Sequence, residues 1–204
     1  MNQDPFKEYI RESEPNKREK GYAWQTAIGL QAVDGLKTSK YLIDTAIRNI
    51  KGDISIDEAN SLLNSYYEEN PKQDPGDRTE EADKVSVRIV KVLSETGFSF
   101  TPNEYISIHK KLFTGIYRHA GKIRDYNITK KEWVLDGETV LYGNASELRD
   151  TLEYDFSEKR TFSYKGLLIN EIIHHLAVFV SRLWQIHIFE EGNTRTTAVF
   201  LSSI

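Results

Sequence analysis

The chain has 204 residues, a formal net charge of −4 with both signs well mixed, and no cysteine. This length supports one domain of moderate size with a small appended subdomain, and the charge argues against a nucleic-acid-binding protein, which would carry a strongly basic surface. The lack of cysteine excludes disulfides and thiolate metal sites, and with a polar N-terminus and no run of about 18 apolar residues we expect a cytoplasmic protein without a membrane span.

Capping residues and glycines in the first third of the sequence predict three helices. The first begins near Lys17 and ends at Asp34-Gly35, because glycine commonly stops a helix. The second follows a cap at Thr38-Ser39. The third follows Ser55, which has the pattern of a capping box.

Proline, glycine and charged residues concentrate over residues 69–78. Such a break in composition separates subdomains. We therefore predict an N-terminal helical module at residues 1–70 and a main domain at residues 71–204.

The rest of the chain is also mainly helical in pattern. Apolar residues recur at helical spacing in four further segments, which are residues 82–96, the segment after Thr101-Pro102, residues 146–152 and residues 164–186. The last segment is so apolar that we expect it at the centre of the core. Residues 122–142 differ, because β-type residues flank Asp136-Gly137 and predict a β-hairpin. The predicted fold is all-α, a helical bundle with one small hairpin.

The stretch from His187 to Thr197, HIFEEGNTRTT, has a composition that core helices do not need. The preceding helix delivers His187 at its end, Gly192-Asn193 interrupts the chain, and a new helix begins near Thr194. Backbone N–H groups of such a loop, together with those of the following first helical turn, form a site for phosphate oxygens.

Three side chains add chemistry to this loop. Arg195 offers a planar charged donor set for phosphate, and Glu191 can hold a Mg²⁺ that bridges two phosphates. His187 can act as a general base near neutral pH. The set predicts phosphate-transfer or nucleotidyl-transfer chemistry.

The order His187-x-Phe189-x-Glu191-Gly192-Asn193-x-Arg195 resembles the signature HxFx(D/E)GNGRxxR of the Fic family, and the resemblance spans about residues 80 to 204. Further upstream, several segments resemble the approach to the family's flap hairpin, namely Leu112-Phe113, Tyr117, Ala120 to Arg124 and Asn127-Ile128. The resemblance implies the helical Fic fold. It also implies a protein adenylyltransferase that moves AMP from ATP to a hydroxyl of a Ser, Thr or Tyr side chain in a target protein.

The resemblance also assigns roles to single residues. His187 would deprotonate the target hydroxyl, Glu191 would hold Mg²⁺, and Phe189 would anchor the loop in the core. The phosphates of ATP would be held by four consecutive residues, Gly192, Asn193, Thr194 and Arg195. The hairpin would clamp the target segment by strand addition through Thr139, Val140, Leu141 and Tyr142. No nucleic-acid or membrane partner is implied, and a homo-oligomer is compatible with the sequence.

Residues 1–70 resemble the antitoxin-type module that blocks many Fic sites. The inhibitory motif (S/T)xxxE(G/N) falls on Leu30 and Asp34-Gly35, so the hydroxyl is lost and the acid is shorter by one methylene. The family's second signature arginine falls on Ala198. Inhibition by Asp34 and Gly35 would therefore use Arg195 or simple obstruction.

The residues of the loop are also compatible with other functions. Thr194 replaces the family's second glycine, and together with Ala198 it leaves phosphate or UMP transfer as alternatives. A non-catalytic module that binds a nucleotide or a peptide is a third hypothesis. Glu171, His174 and His175 have helical spacing, but adjacent histidines point to different faces, so we do not predict a metal site there.

Overall fold

The computed structural model describes residues 5–11, 14–71, 74, 76–131 and 139–203. The elements of this part are α1 (Lys7–Ile10), α2 (Pro15–Val33), α3 (Lys40–Lys51), α4 (Ile56–Glu69), α5 (Thr79–Leu93), α6 (Pro102–Phe113), β1 (Thr129–Lys131), β2 (Thr139–Leu141), α7 (Leu148–Thr161), α8 (Ile169–Ile186) and α9 (Asn193–Ser202). The prediction of an all-α fold with one small hairpin is confirmed. None of the helices in these ranges is long and apolar enough to cross a membrane.

The chain forms two compact units, residues 1–97 and residues 98–202. The first contains α1 to α5, and the second contains the hairpin and α6 to α9. The composition break at residues 69–78 lies inside the first unit, because α5 packs against α2 and α4. The predicted boundary at residue 70 therefore does not coincide with the limit between the compact units.

Local capping signals place several helix starts where the sequence predicts them. Ser39 accepts a hydrogen bond from the Leu42 amide at 3.0 Å and caps α3. Ser55 and Glu58 form the reciprocal capping box of α4. Thr101 caps α6, whose first residue is a proline. These contacts involve neighbours three residues apart, which is why sequence patterns report them.

Buried polar side chains join the helices of the first unit. The indole N–H of Trp24 in α2 donates to Asn49 in α3 at 3.0 Å. Asp83 in α5 accepts from the Ser39 hydroxyl at 2.5 Å and from the Tyr67 hydroxyl at 2.7 Å. Burial raises the pKa of the Asp83 carboxyl above its usual range. These hydrogen bonds fix the orientation of α2 to α5 around an apolar core.

Aromatic rings form the core of the second unit. Rings from α6, α7, α8 and α9 meet around Phe100 with centroid separations of 5.1–6.3 Å, namely those of Tyr105, Phe156, Phe179 and Phe200. Tilted and edge-to-face arrangements at these separations are favourable for aromatic pairs. The cluster packs α6, α7, α8 and α9 together within this unit.

Helix α8 is less buried than its composition predicts. Only Phe179, Leu183 and Ile186 of this helix are buried. Ile169, Ile173, Val178 and Trp184 are exposed, with 40–66% of their surface accessible. The expectation that the whole helix lies at the centre of the core is wrong, because α8 packs mainly on α7 and α9 within the described ranges. Apolar composition does not reveal how many neighbours a helix will have.

Two predicted elements have other limits in the structure. The helix predicted at residues 146–152 is a short 3₁₀ turn, Ala145–Glu147, followed by α7, which continues to Thr161. Charged residues between Leu152 and Phe156 obscure its apolar face in the sequence. The hairpin pairs β1 with β2 in antiparallel register, Lys130 opposite Val140. The predicted turn at Asp136-Gly137 lies outside the described residues.

Candidate functional site

His187 lies directly after the last residue of α8. Its amide donates to Leu183 O at 3.3 Å, and its backbone has φ 49° and ψ 61°. It is the one non-glycine residue with positive φ in the described ranges. A left-handed conformation is unfavourable for a residue with a Cβ and persists only where the surroundings enforce it. The structure thus holds His187 in a strained turn at the mouth of the loop.

Asn193 closes the loop that follows His187. Its side-chain oxygen accepts from the Phe189 amide at 3.0 Å, and its side-chain nitrogen donates to Phe189 O at 2.8 Å. An amide carries both a donor and an acceptor, whereas a carboxylate carries no donor. Asn193 is buried, so this pair of hydrogen bonds fixes the chain reversal between α8 and α9.

Gly192 is required by both its backbone and its neighbours. Its φ is +79°, a region that residues with a Cβ rarely adopt. A Cβ at this position would lie 2.5 Å from Cε2 of Phe113. Its carbonyl accepts from the amide and the hydroxyl of Thr196, at 3.0 and 2.8 Å, and so starts the hydrogen bonding of α9. The backbone amides before Thr196, in the first turn of α9, have no partner within the helix and point away from its N-terminus, as in any α-helix.

Phe189 and His109 stack in the floor of the site. Their ring centroids are 3.7 Å apart, and both side chains are fully buried. His109 Nδ1 accepts from the Gly121 amide at 2.8 Å, which leaves the proton on Nε2 to donate to Glu191 O at 3.0 Å. Burial lowers the pKa of His109 to about 4, so the ring is neutral near pH 7. His109 therefore supports the loop from α6.

Arg195, in the first turn of α9, is fully buried. Its Nη2 donates to the Tyr117 hydroxyl at 3.0 Å, and its guanidinium carbon lies 4.8 Å from the centroid of the Phe113 ring. A guanidinium over an aromatic face gains cation–π attraction and loses rotational freedom. The cationic group is thus held in one orientation beside Gly192.

The hairpin leads back to His187. Thr139 and Leu141 of β2 are exposed, the latter at 76%, while Val140 is partly buried. Tyr142 follows β2, and its ring centroid lies 4.3 Å from that of the His187 imidazole. The structure thus brings the end of the predicted flap and the predicted base into direct contact.

Glu191 exposes its side chain at the loop, where a metal held by nucleotide phosphates could meet it. No group of three or more His, Asp or Glu residues within the described ranges forms a metal site of its own. A single carboxylate with phosphate oxygens and water suits Mg²⁺, which rarely uses an all-protein cage. The donor set therefore fits a metal that arrives with a nucleotide.

Three residues of the site escape sequence reasoning about chemistry. In the sequence, Tyr117 and Arg124 stand out only as parts of family-like segments, and His109 does not stand out at all. Arg124 is buried and donates to backbone carbonyls at the end of α8 and in the hairpin. Each lies 63 to 82 residues before its partner in the stretch from His187 to Arg195, so no local pattern could indicate these contacts.

Asp34 and Gly35 lie at the end of α2 in the first unit. Asp34 is the C-terminal cap residue and is partly buried, and Gly35 has φ +73°. The predicted stop of this helix is confirmed. The predicted inhibitory role of these two residues stays a prediction.

The chain is similar to proteins of one known family. The model of the Fic/DOC family matches residues 99–204. The protein adenylyltransferase VbhT of Bartonella schoenbuchensis is 32% identical over 94 residues. That match covers 46% of this chain and 18% of the relative, so the chain spans less than a fifth of that protein.

Proposed function

The chain belongs to the Fic/DOC family, and on this premise we propose that it transfers AMP from ATP to a hydroxyl side chain of a target protein. The observation that carries the proposal is that His187, Gly192 and Arg195 lie around one loop, which the hydrogen bonds between Asn193 and Phe189 hold closed. A base stands at one end of this loop, and an anion-binding helix start stands at the other.

His187 is assigned the proton transfer. Its imidazole accepts the proton of the target hydroxyl, and the hydroxyl oxygen then attacks the α-phosphorus of ATP. The bond from that phosphorus to the oxygen bridging the α- and β-phosphates breaks, and pyrophosphate leaves. A histidine suits the step because its imidazole exchanges protons near neutral pH.

Backbone groups and Arg195 are assigned the phosphates. Gly192 presents no side chain, so phosphate oxygens can approach the amides at the start of α9. Thr194 follows in the same turn and adds a hydroxyl. The guanidinium of Arg195 is already oriented by Tyr117 and Phe113, which lowers the entropy lost on binding.

Glu191 is assigned the metal. A Mg²⁺ held between this carboxylate and the phosphates would neutralise negative charge as pyrophosphate leaves. Glu191→Gln keeps the shape and removes the charge, so the variant should require more Mg²⁺ for the same rate. An unchanged Mg²⁺ titration would place the metal on other residues.

The flap is assigned the target protein. An extended target segment would pair with the hairpin through residues 139–142, and the exposed side chain of Leu141 would contact it. Tyr142 links this surface to His187. The partner is therefore a protein segment that presents a Ser, Thr or Tyr hydroxyl beside the base.

The N-terminal helices are assigned a restraint on this reaction. The support for this assignment is the resemblance of residues 1–70 to the antitoxin-type module that blocks many Fic sites. Asp34 and Gly35 remain the residues of the proposed inhibitory motif. The restraint does not use a pair with a second arginine, since that position is Ala198.

Transfer of label tests the reaction. The full chain is incubated with a cell lysate, Mg²⁺ and ATP labelled at the α-phosphate, and protein-bound label is measured. His187→Ala should incorporate about 100-fold less label than wild type, or even less. Its affinity for a fluorescent ATP analogue should stay within about twofold of the wild-type value. His174→Ala, an exposed histidine of α8, is the control and should label like wild type.

Different nucleotides should be compared as the source of the transferred group, because Thr194 and Ala198 depart from the family's phosphate-binding signature. Label from γ-labelled ATP would indicate phosphate transfer, and label from UTP would indicate UMP transfer. Binding of nucleotide without any transfer would support a non-catalytic module and would refute the proposed enzyme.

A further inference from the structure

Four consecutive carbonyls at the end of α8 receive N–H groups from two residues of the flap region. The Gly143 amide donates to Gln185 O at 3.2 Å. Arg124 supplies the next three donors, Nη2 to Ile186 O at 3.2 Å, Nε to His187 O at 2.8 Å and its backbone amide to Ile188 O at 3.0 Å. The last carbonyls of a helix have no intrahelical partner, so this arrangement caps α8 from outside the helix.

The remaining donors of Arg124 hold the two ends of the hairpin. Nη1 donates to Tyr126 O at 2.6 Å, before β1, and Nη2 also donates to Gly143 O at 2.5 Å, after β2. The side chain is buried, and burial lowers the pKa of its guanidinium. Its contacts are carbonyl oxygens, and a cation at a helix C-terminus also gains from the helix dipole.

We infer that Arg124 is a positioning residue of the transfer site, which holds the backbone of His187 in its left-handed turn and ties that turn to the base of the flap. The inference rests on the proposed function. His187 keeps φ 49° without a glycine, and such a conformation requires neighbours that over-determine it. Arg124 donates hydrogen bonds to the carbonyls on both sides of the His187 Cα, which are Ile186 O and His187 O.

The same clamp sets the distance between the base and the docked target. Gly143 bonds to both Arg124 and Gln185, and the residue before it, Tyr142, packs on the His187 ring. A target segment on β2 would thus be registered against His187 through a few hydrogen bonds. Only a planar, forked group with five donors reaches carbonyls in so many directions, so lysine is not an equivalent residue.

The test compares Arg124→Lys and Arg124→Gln with wild type in the full chain. Arg182→Lys is the matched control, because Arg182 lies on α8, the helix that Arg124 caps, but pairs with Asp155 instead of with the site. Three quantities are measured: the His187 ring signals in ¹H–¹³C NMR across a pH titration, assigned with His187→Ala; binding of a fluorescent ATP analogue; and auto-modification by labelled ATP.

Arg124→Lys should shift the His187 ring signals and change their titration midpoint, and should lower the rate of auto-modification at saturating ATP by about 10-fold or more. Binding of the ATP analogue should stay within about twofold, because the start of α9 is intact. Arg182→Lys should match wild type in all three. A folded Arg124→Lys protein with wild-type His187 signals and titration would overturn the inference.

A measurement on wild type keeps the inference testable if both Arg124 variants unfold. The Nε–H of Arg124 should exchange with solvent at least 10-fold more slowly than that of Arg149, which is exposed. Equal exchange rates would show that the clamp does not exist. The NMR results need no transfer activity, so a wild type that transfers no nucleotide refutes the proposed function while these signals still decide the role of Arg124.

Discussion

The imidazole of His187 packs against the phenol ring of Tyr142, with centroids 4.3 Å apart and planes inclined by 32°. The contact joins the end of α8 to the residue that follows β2. The Tyr142 ring therefore restricts the rotation of the His187 imidazole.

Replacing Tyr142 by alanine should lower the auto-modification rate at saturating ATP by about 10-fold, because the imidazole gains rotamers that do not face the hydroxyl. Tyr142→Phe keeps the ring and should stay within about threefold of wild type. Tyr154→Ala removes an exposed tyrosine of α7 and serves as the control. If Tyr142→Phe loses as much activity as the alanine variant, the hydroxyl rather than the ring contact is what matters.

Gly192→Ala should destabilise the protein by about 2 kcal/mol or more, since it combines an unfavourable φ with a Cβ placed 2.5 Å from the Phe113 ring. Gly29→Ala is the matched control. That glycine lies inside α2 with open space around its Cα, so alanine should stabilise by about 0.5–1 kcal/mol. Urea unfolding measures both, and equal stabilities would show that the loop adapts to a side chain.

The buried neutral His109 predicts a loss of stability in mild acid. Its pKa is lowered to about 4, whereas an unfolded histidine has a pKa near 6.5, so the unfolded chain binds more protons between these values. The contribution is complete above about pH 6.5 and is lost as the pH falls towards 4, by about 3 kcal/mol in total.

Urea unfolding of wild type and His109→Gln from pH 7 to pH 4 measures this contribution. Carboxyl groups titrate in both proteins, so the difference between the two curves isolates the histidine. The free energies of unfolding should converge as the pH falls. Parallel curves would mean that His109 is charged in the folded protein or is solvated.

Asp34→Ala should change auto-modification by less than about twofold. Aspartate is shorter than the family's glutamate, and position 198 offers alanine where a charge-assisted pair would need an arginine. An increase of 10-fold or more would show that Asp34 itself restrains the site, through Arg195 or otherwise. Thr38→Ala, just after the motif, is the control.

Point changes test the restraint better than removal of the N-terminal helices, because such a deletion would remove Trp24 from the core of the first unit. The apolar residues near the end of α2 differ in how far they are buried. Val33 is 69% exposed, and Ile28 and Leu30 are partly buried. Ile28→Ala and Leu30→Ala in the full chain would show whether this packing contributes to the restraint.

The sequence alone determined features that depend on residues close together in the chain. Capping at Ser39, Ser55 and Thr101 needs only a hydroxyl and an amide three residues later. The order of His187, Gly192 and Arg195 predicts an anion-binding loop, because the interruption between two helices places these residues around one turn. These contacts have few geometric alternatives.

The tertiary structure decided what holds that loop in place. His109, Tyr117 and Arg124 reach it from 63 to 82 residues away, and their partners are mostly backbone carbonyls, which every residue has. It also decided that α8 buries only part of its apolar surface. Side-chain chemistry is written in the sequence, but the carbonyl that a buried guanidinium will meet, and the neighbour that a helix face will have, exist only once distant segments pack.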